Sequence, residues 1–329
     1  MDNQVNTRLN NEETYCDLCQ GKELKYLFDG HDRYYGIEGI FKIYKCLSCG
    51  LMITLPRLSE KDISRYYPSN YYSYINNNVR LGYLYKIKYA ITNPLEILNY
   101  ILYNYLLNAE RGYKIVKNGK ILDFGCGNGS FLLKFRPHGM DCYGIDIDQE
   151  AIKKAKENNI KAFCSFYEAN FNDNFFDIIL ASHVLEHTTE PDKILEEFTG
   201  LLKPKGILII NVPNFDSCNF KLFNECWMPL DIPRHRYSFS TEIMKKSIEK
   251  NGLRIIRIRH IPIHYTFMGS LQYYTNKFHR KEVLLINSKL IKNQLLIFLI
   301  FPFIALFNLI GKGDNIEIWA QKDNKPCSD

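Results

Sequence analysis

Several features are scarce in this 329-residue chain, and each scarcity excludes something. The opening residues, MDNQVNTRLNNEET, hold no apolar stretch, which predicts no secretory leader and a cytosolic protein. No long basic tract occurs, so a formal charge of +6 argues poorly for nucleic acid. That mild balance suits anionic lipid or a phosphorylated sugar equally well. No apolar run reaches the roughly 20 residues of a membrane-crossing helix. The longest, LLIFLIFPFIALF at Leu295–Phe307, is interrupted by Pro302. Apolar residues themselves are plentiful: 46% hydrophobic and 24% charged content excludes wholesale disorder. The length suffices for one sizeable core and an accessory module.

The chain is organised around KILDFGCGNGSFLLKFRPHGMDCYGIDID, from Lys120 to Asp148. Ile121 and Leu122 read as a buried strand, Gly125, Gly127 and Gly129 as a ligand-hugging turn, and Phe131 to Phe135 as the start of a helix with free N–H groups. A second apolar run, Cys142 to Ile145, ends on Asp146, about 20 residues past the first glycine, where a doubly wound fold sets an acid on a ribose diol. Asp123 decides which nucleotide. A carboxylate at the end of the first strand repels a pyrophosphate, and Ser130 and Phe131 stand where a dinucleotide fingerprint needs its third glycine. S-adenosylmethionine fits better: its ammonium and sulfonium face the acid, and its carboxylate can use the backbone N–H groups. LDFGCGNG followed by GID resembles the first two motifs of class I S-adenosylmethionine-dependent methyltransferases.

Beyond it, strand and helix alternate regularly. Strands are predicted at Lys161–Ser165, Phe176–Ser182 and Gly206–Val212, and a helix at Pro191–Leu202. The phrases FFDIILASHVLEHTTEP and LLKPKGILIINVPN resemble the fourth and fifth motifs of the same class, in the branch holding ubiquinone-biosynthesis O-methyltransferases and enzymes of surface-glycan clusters. The likeness covers most of residues 111–261. CDLC, CLSCG, YYPSNYYSY and DIPRHRYSFS extend it to the glycan-type members. It implies an α/β, doubly wound, mostly parallel seven-stranded sheet.

Cys16, Cys19, Cys46 and Cys49 form two CxxC knuckles, with Gly50 suited to the turn after the second. Reduced cysteines at that spacing predict a closed structural zinc site in a small ribbon, the alternative being buried thiols with no metal. The organisation expected is a zinc-binding module at 1–60, an aromatic and helical connector at 61–110, a methyltransferase domain at 111–322 with an apolar helical insertion at 262–313, and a tail at 323–329. The connector carries RYYPSNYYSYINNN, dense in tyrosine, and apolar helical stretches between Leu81 and Leu107. GDNIEIWAQK after the insertion alternates like a strand, and the resemblance implies that Ile316–Ala320 returns antiparallel into the sheet. Both ends of Leu295–Ile310 then lie on one side of a bilayer, leaving two readings: peripheral contact with the inner membrane face, or a hairpin buried against the helices of 81–107.

The resemblance assigns donor contacts. Asp123, Gly125, Gly127 and Gly129 surround the methionine moiety, Asp146 takes the ribose, Ile147 and Phe166 sandwich the adenine, and Ser182 and His183 close the far side. Methyl transfer to an alcohol also needs a base. His183 follows strand four, and His235 with Asp231 lies in the long, polar segment after Val212; His235 is favoured. Arg234, Arg236 and Tyr237 around it suit a sugar or phosphate acceptor. Placed on a helix, His183, Glu186 and His187 would share a face and could hold a cation. In the ubiquinone-type relatives an acid usually replaces His183 and metal assistance is implied, so this chain departs there. The reading is O-methylation of a sugar or lipid-linked glycan in surface polysaccharide biosynthesis. A polyprenyl phenol or quinone precursor is the alternative acceptor, and a non-catalytic zinc-containing scaffold the alternative of another class.

Overall fold

The computed structural model describes residues 15–68, 94–101, 116–261, 263–279 and 289–323. The tyrosine run beyond Pro68 and most of the 81–107 stretch lie outside the described residues. The cysteine module is a sheet of β1 (Leu24–Gly30), β2 (Phe41–Cys46) and β3 (Met52–Leu55), all antiparallel. β2 alternates buried Phe41 and Ile43 with the half-wet Lys42 and Tyr44, the period of a strand with one covered face. A short helix, α1 (Pro94–Ile101), follows.

The core sheet takes β4 (Lys120–Phe124), β5 (Asp141–Ile145), β6 (Lys161–Phe163), β7 (Phe176–Ser182) and β8 (Leu202–Pro213) in parallel. Its helices include α2 (Gln149–Glu157), which Asp148 caps by accepting from the N–H groups of Glu150 and Ala151, and α3 (Pro191–Leu201). The long segment after Val212 then gives β9 (Tyr237–Ser238), which leaves this sheet and pairs with β3 of the module. α4 (Thr241–Lys250) leads to β10 (Leu253–Ile261), and a hairpin of α5 (His264–His279) and α6 (Gln294–Leu309) leads to β11 (Asn315–Lys322). The seven strands run β10-β11-β8-β7-β4-β5-β6, with β11 antiparallel to both its neighbours. This is the doubly wound methyltransferase sheet that the sequence motifs imply. Strand order reverses between β4 and β7, so a crevice opens at their carboxyl ends.

Burial explains why these runs became strands. Ile121, Leu122, Ile178, Ile179, Leu208 and Ile210 are all at most 1% exposed, as a sheet covered on both faces requires. Each such side chain contributes roughly 1.5 to 3 kcal/mol by leaving water. One buried cluster runs unbroken from Cys16, Phe41 and Ile53 to Leu122, Ile179 and Leu208, so the module is built into the core.

The apolar insertion is packed on one side and open on the other. Ile297, Ile300 and Ile304 of α6 are buried against Met268 of α5, and Asn99 of α1 donates to Gln294 at its start. Leu295, Leu299, Phe303, Leu306 and Leu309 stand 52 to 83% exposed on its other side. No helix among the described residues is long and apolar enough to cross a membrane.

Candidate active site

The glycine turn differs from expectation in one respect. The run from Phe131 forms two short 3-10 turns, Leu132–Lys134 and Arg136–His138, in place of an α-helix. Pro137 lacks the N–H a helix needs and disfavours helical backbone at Arg136. The anion-binding groups here are therefore those of the turn itself. Gly125 has φ +82°, and a side chain there would begin 2.3 Å from Val184 Cγ2. The glycine turn thus touches the segment after β7. Nothing lies within 4 Å of the corresponding point at Gly127, and Gly129 continues the turn at φ +72°.

Asp146 is tied into this cradle: Oδ2 accepts from the Gly127 N–H at 2.8 Å and Oδ1 from the Asp148 N–H at 3.0 Å. Burial raises its carboxyl above the ordinary range, partly offset by those two N–H groups. Asp123 is buried at the end of β4. Ile147 projects with 93% exposure, an unusual place for an aliphatic side chain unless something covers it. Phe166 is half-buried, its ring stacked on Phe124 at 5.1 Å and edge-on to Phe198, so it meets the crevice as part of that packed group.

Across the crevice, Ser182 ends β7 and His183 takes a left-handed backbone, φ +57°. Residues 183–187 form a turn, not a helix, which removes the shared face expected for His183, Glu186 and His187. The turn instead packs three imidazoles around Glu186, which is fully buried. His183 Nδ1 lies 3.2 Å from Glu186 Oε1, and its Nε2 lies 3.2 Å and 3.4 Å from the amide nitrogens of Asn315 and Asn211. A carboxylate only accepts and an amide N–H donates, so Nδ1 carries the proton and Nε2 the lone pair. The His183 side chain is 42% exposed. His235 is buried; its Nδ1 donates to the Pro229 carbonyl at 2.7 Å, and its Nε2 stands 4.0 Å from Glu186. His187 Nδ1 donates to the Arg234 carbonyl at 3.0 Å.

Burial opposes the charge on Glu186, but the neighbouring histidines, His183 first, more than reverse it, and its carboxyl sits below the usual range. Burial also pushes the His187 imidazole down to about 4. Glu186, His187 and His235 bring ligand atoms within 4.8 Å of one another, so a metal held here would use His235 from a distant segment. Glu186 Oε2 has no hydrogen-bond partner among the described residues.

The segment carrying His235 is not the surface loop its polar sequence suggested. Trp227, Leu230, Ile232, Tyr237 and Phe239 are all at most 4% exposed. Arg234, expected to meet an acceptor, is 1% exposed and fully engaged. Its guanidinium donates to Asp231, to Asp32 at 2.8 Å and 3.2 Å, and to the Tyr66 carbonyl at 2.9 Å. Desolvating that charge is tolerable only with such partners. Burial raises the Asp231 carboxyl, but the guanidinium on both its oxygens holds it below its ordinary range, which makes it a weaker base. Arg236 donates to the Leu58 carbonyl and the Tyr237 hydroxyl to the Thr189 carbonyl, so both side chains also make internal contacts.

The four module cysteines meet as their spacing suggested. Cys16 and Cys49 sulfurs are 3.5 Å apart and those of Cys19 and Cys46 3.6 Å, all four lying within 4.8 Å. Thiolates about 2.3 Å from one tetrahedral ion would be about 3.8 Å from each other.

Asp32, Asn211 and Asn315 carried no motif. Asn211 did leave a trace, as the one polar residue inside the apolar run of β8. Asp32 left none, its partner Arg234 being 202 residues away.

Comparison with known proteins places part of the chain in a family model. Residues 101–258 match a family model described as a methyltransferase domain. A ubiquinone biosynthesis O-methyltransferase of Coxiella burnetii is 26% identical over 185 residues, covering 52% of this chain and 77% of its own. One from Rickettsia bellii is 31% identical over 149 residues, 44% of this chain and 58% of its own. Among solved structures, a SAM-dependent methyltransferase from Archaeoglobus fulgidus aligns over 73% of this chain and 100% of its own, at 21% identity and a TM-score of 0.42.

Proposed function

This chain is a class I S-adenosylmethionine-dependent methyltransferase related to the ubiquinone-biosynthesis O-methyltransferases, and from that premise we propose that it methylates a hydroxyl group with His183 as the base. The observation that carries this is His183 itself. Among His183, His187 and His235 it has the open side chain, its backbone is held left-handed at the end of β7, and a buried carboxylate backs its Nδ1. Asp123, the three glycines, Asp146 and exposed Ile147 would hold the donor, with Ser182, Val184 and the Phe124–Phe166 stack walling the crevice. Bound there, S-adenosylmethionine supplies a sulfonium methyl to an in-line attack. For His183 Nε2 to take the hydroxyl proton, the acceptor must displace the Asn211 and Asn315 amides that donate to that nitrogen, and the resulting imidazolium is stabilised by Glu186. Until then those two amides hold the ring in place.

The acceptor we favour is a phenol or quinone precursor with a polyprenyl tail. The relatives' names point that way, and the exposed apolar side of α6, flanked by Lys289 and Lys292, suits a lipid-borne substrate and peripheral membrane contact. Arg234 and Tyr237 are buried and Arg236 half-buried, which weakens the case for a sugar. A lipid-linked glycan is the second reading, supported by the cysteine module, which lies outside the matched residues 101–258. A structural zinc in that module is part of the proposal.

Incubation with methyl-labelled donor and either a short-chain polyprenyl phenol or a lipid-linked glycan separates the acceptors by which one takes label. His183→Ala should lower turnover roughly 100- to 10,000-fold while donor binding persists. Unchanged turnover in that variant would return the base to His235.

A further inference from the structure

We infer that the cysteine module is the scaffold of the acceptor side: Asp32 and Thr54 are positioning residues for His235, and cation occupancy of the four thiolates sets the order of residues 231–239. Its catalytic meaning rests on the methyl-transfer reading above; the contact does not.

β9 is the fourth strand of the module's sheet, with Ser238 opposite Met52 and Tyr237 opposite Ile53. One residue further along β3, Thr54 brackets His235. Its Oγ1 donates to the His235 carbonyl at 2.9 Å, and its N–H donates to the Arg236 carbonyl at 2.9 Å. Asp32 fixes the other flank. It is 1% exposed, and its Oδ1 accepts from the N–H groups of Tyr34 and Tyr35, so the carboxylate is oriented by its own turn before it meets Arg234. At Gly30, just upstream, a side chain would begin 2.2 Å from Ile232 Cδ1, so module backbone and acceptor segment are in direct contact.

The route from the sulfurs to the crevice is short. Cys46 closes β2, β2 pairs with β3, and β3 carries Thr54. From His235 the segment returns to the turn after β7, where the N–H groups of Arg236 and Tyr237 donate to the Glu186 carbonyl at 2.8 Å and 3.3 Å. Glu186 is the residue against which His183 leans. A cation holding both knuckles would thus pin the turn that joins β2 to β3, and with it the sheet whose edge carries the segment of His235. Without one, the edge pairing of β9, two residues long, is the weakest link.

The experiment uses the full chain, loaded with zinc or stripped by a chelator, with metal content measured in both. Hydrogen–deuterium exchange is followed by mass spectrometry while S-adenosylmethionine is titrated in parallel. Stripping should speed exchange in 231–239 at least tenfold, with β4 and β7 unchanged and donor affinity within about twofold. Equal exchange in 231–239 with and without metal overturns the cation dependence. Thr54→Val supplies the arm independent of metal: zinc is retained, the His235 ring signals move in nitrogen NMR from the pattern of an Nδ1–H tautomer, and donor binding stays. Unmoved His235 signals overturn the positioning role, and this arm decides if the stripped protein unfolds. Absence of donor binding in the untreated protein would count against the methyl-transfer reading instead.

Discussion

The two sides of the crevice are built by different means. On the donor side, Asp123 to Asp146 lie within one strand–turn–strand unit, and the contacts that shape it, such as Gly127 to Asp146, span 19 residues. On the acceptor side, His235 is held by Thr54, 181 residues away, and Arg234 by Asp32, 202 away. The donor cradle is a local motif that any chain with this spacing can form. The acceptor side is a tertiary product, in which a buried ion triad and a shared β-sheet decide what the polar residues are free to do. Polar composition marked both regions, and in the second much of it is taken up by internal contacts.

The largest expected effect tests the ion triad. Arg234→Ala strands Asp32 and Asp231 as unpaired buried charges and should cost about 3 to 5 kcal/mol, lowering the melting temperature by roughly 10 °C. A loss under about 1 kcal/mol would show that the guanidinium is not holding the two sides together, and would restore it as an acceptor contact. Next in size is acid sensitivity. A histidine whose folded-state value is pushed from 6.5 to about 4 binds its proton more readily unfolded, so stability falls as pH drops through that window. The loss amounts to at most about 3 kcal/mol. Glu186, held below its ordinary range, adds in the same direction at the acid end of the window. His187→Asn should flatten the slope in denaturant titrations between those values; an unchanged slope would assign the effect elsewhere. The smallest concerns α6. Phe303→Lys on its exposed side should leave stability within about 0.5 kcal/mol. It should also reduce co-sedimentation with vesicles containing anionic lipid. Destabilisation by several kcal/mol would mean that the side chain is covered.

The same contrast explains what could be read from the sequence. The alternation of strand and helix and the meeting of four cysteines follow from periodicity and spacing, which are local signals, whereas the sheet order and the return of Ile316–Ala320 were implied only by the family resemblance. The i, i+3 and i+4 spacing of His183–His187 is compatible with a helix or a turn, and the left-handed backbone of His183 is only weakly marked by its residue type. Arg234 looked like a ligand group because nothing near it in sequence shows Asp32 reaching across.

The account stands on the donor site, and calorimetric titration of S-adenosylmethionine into the full chain tests it most directly. It predicts saturable binding at one site per chain, weakened roughly 10- to 100-fold in Asp146→Ala, in line with about 1.5 to 3 kcal/mol for hydrogen bonds to a charged group. No binding in the unaltered protein, or equal binding in Asp146→Ala, would contradict it.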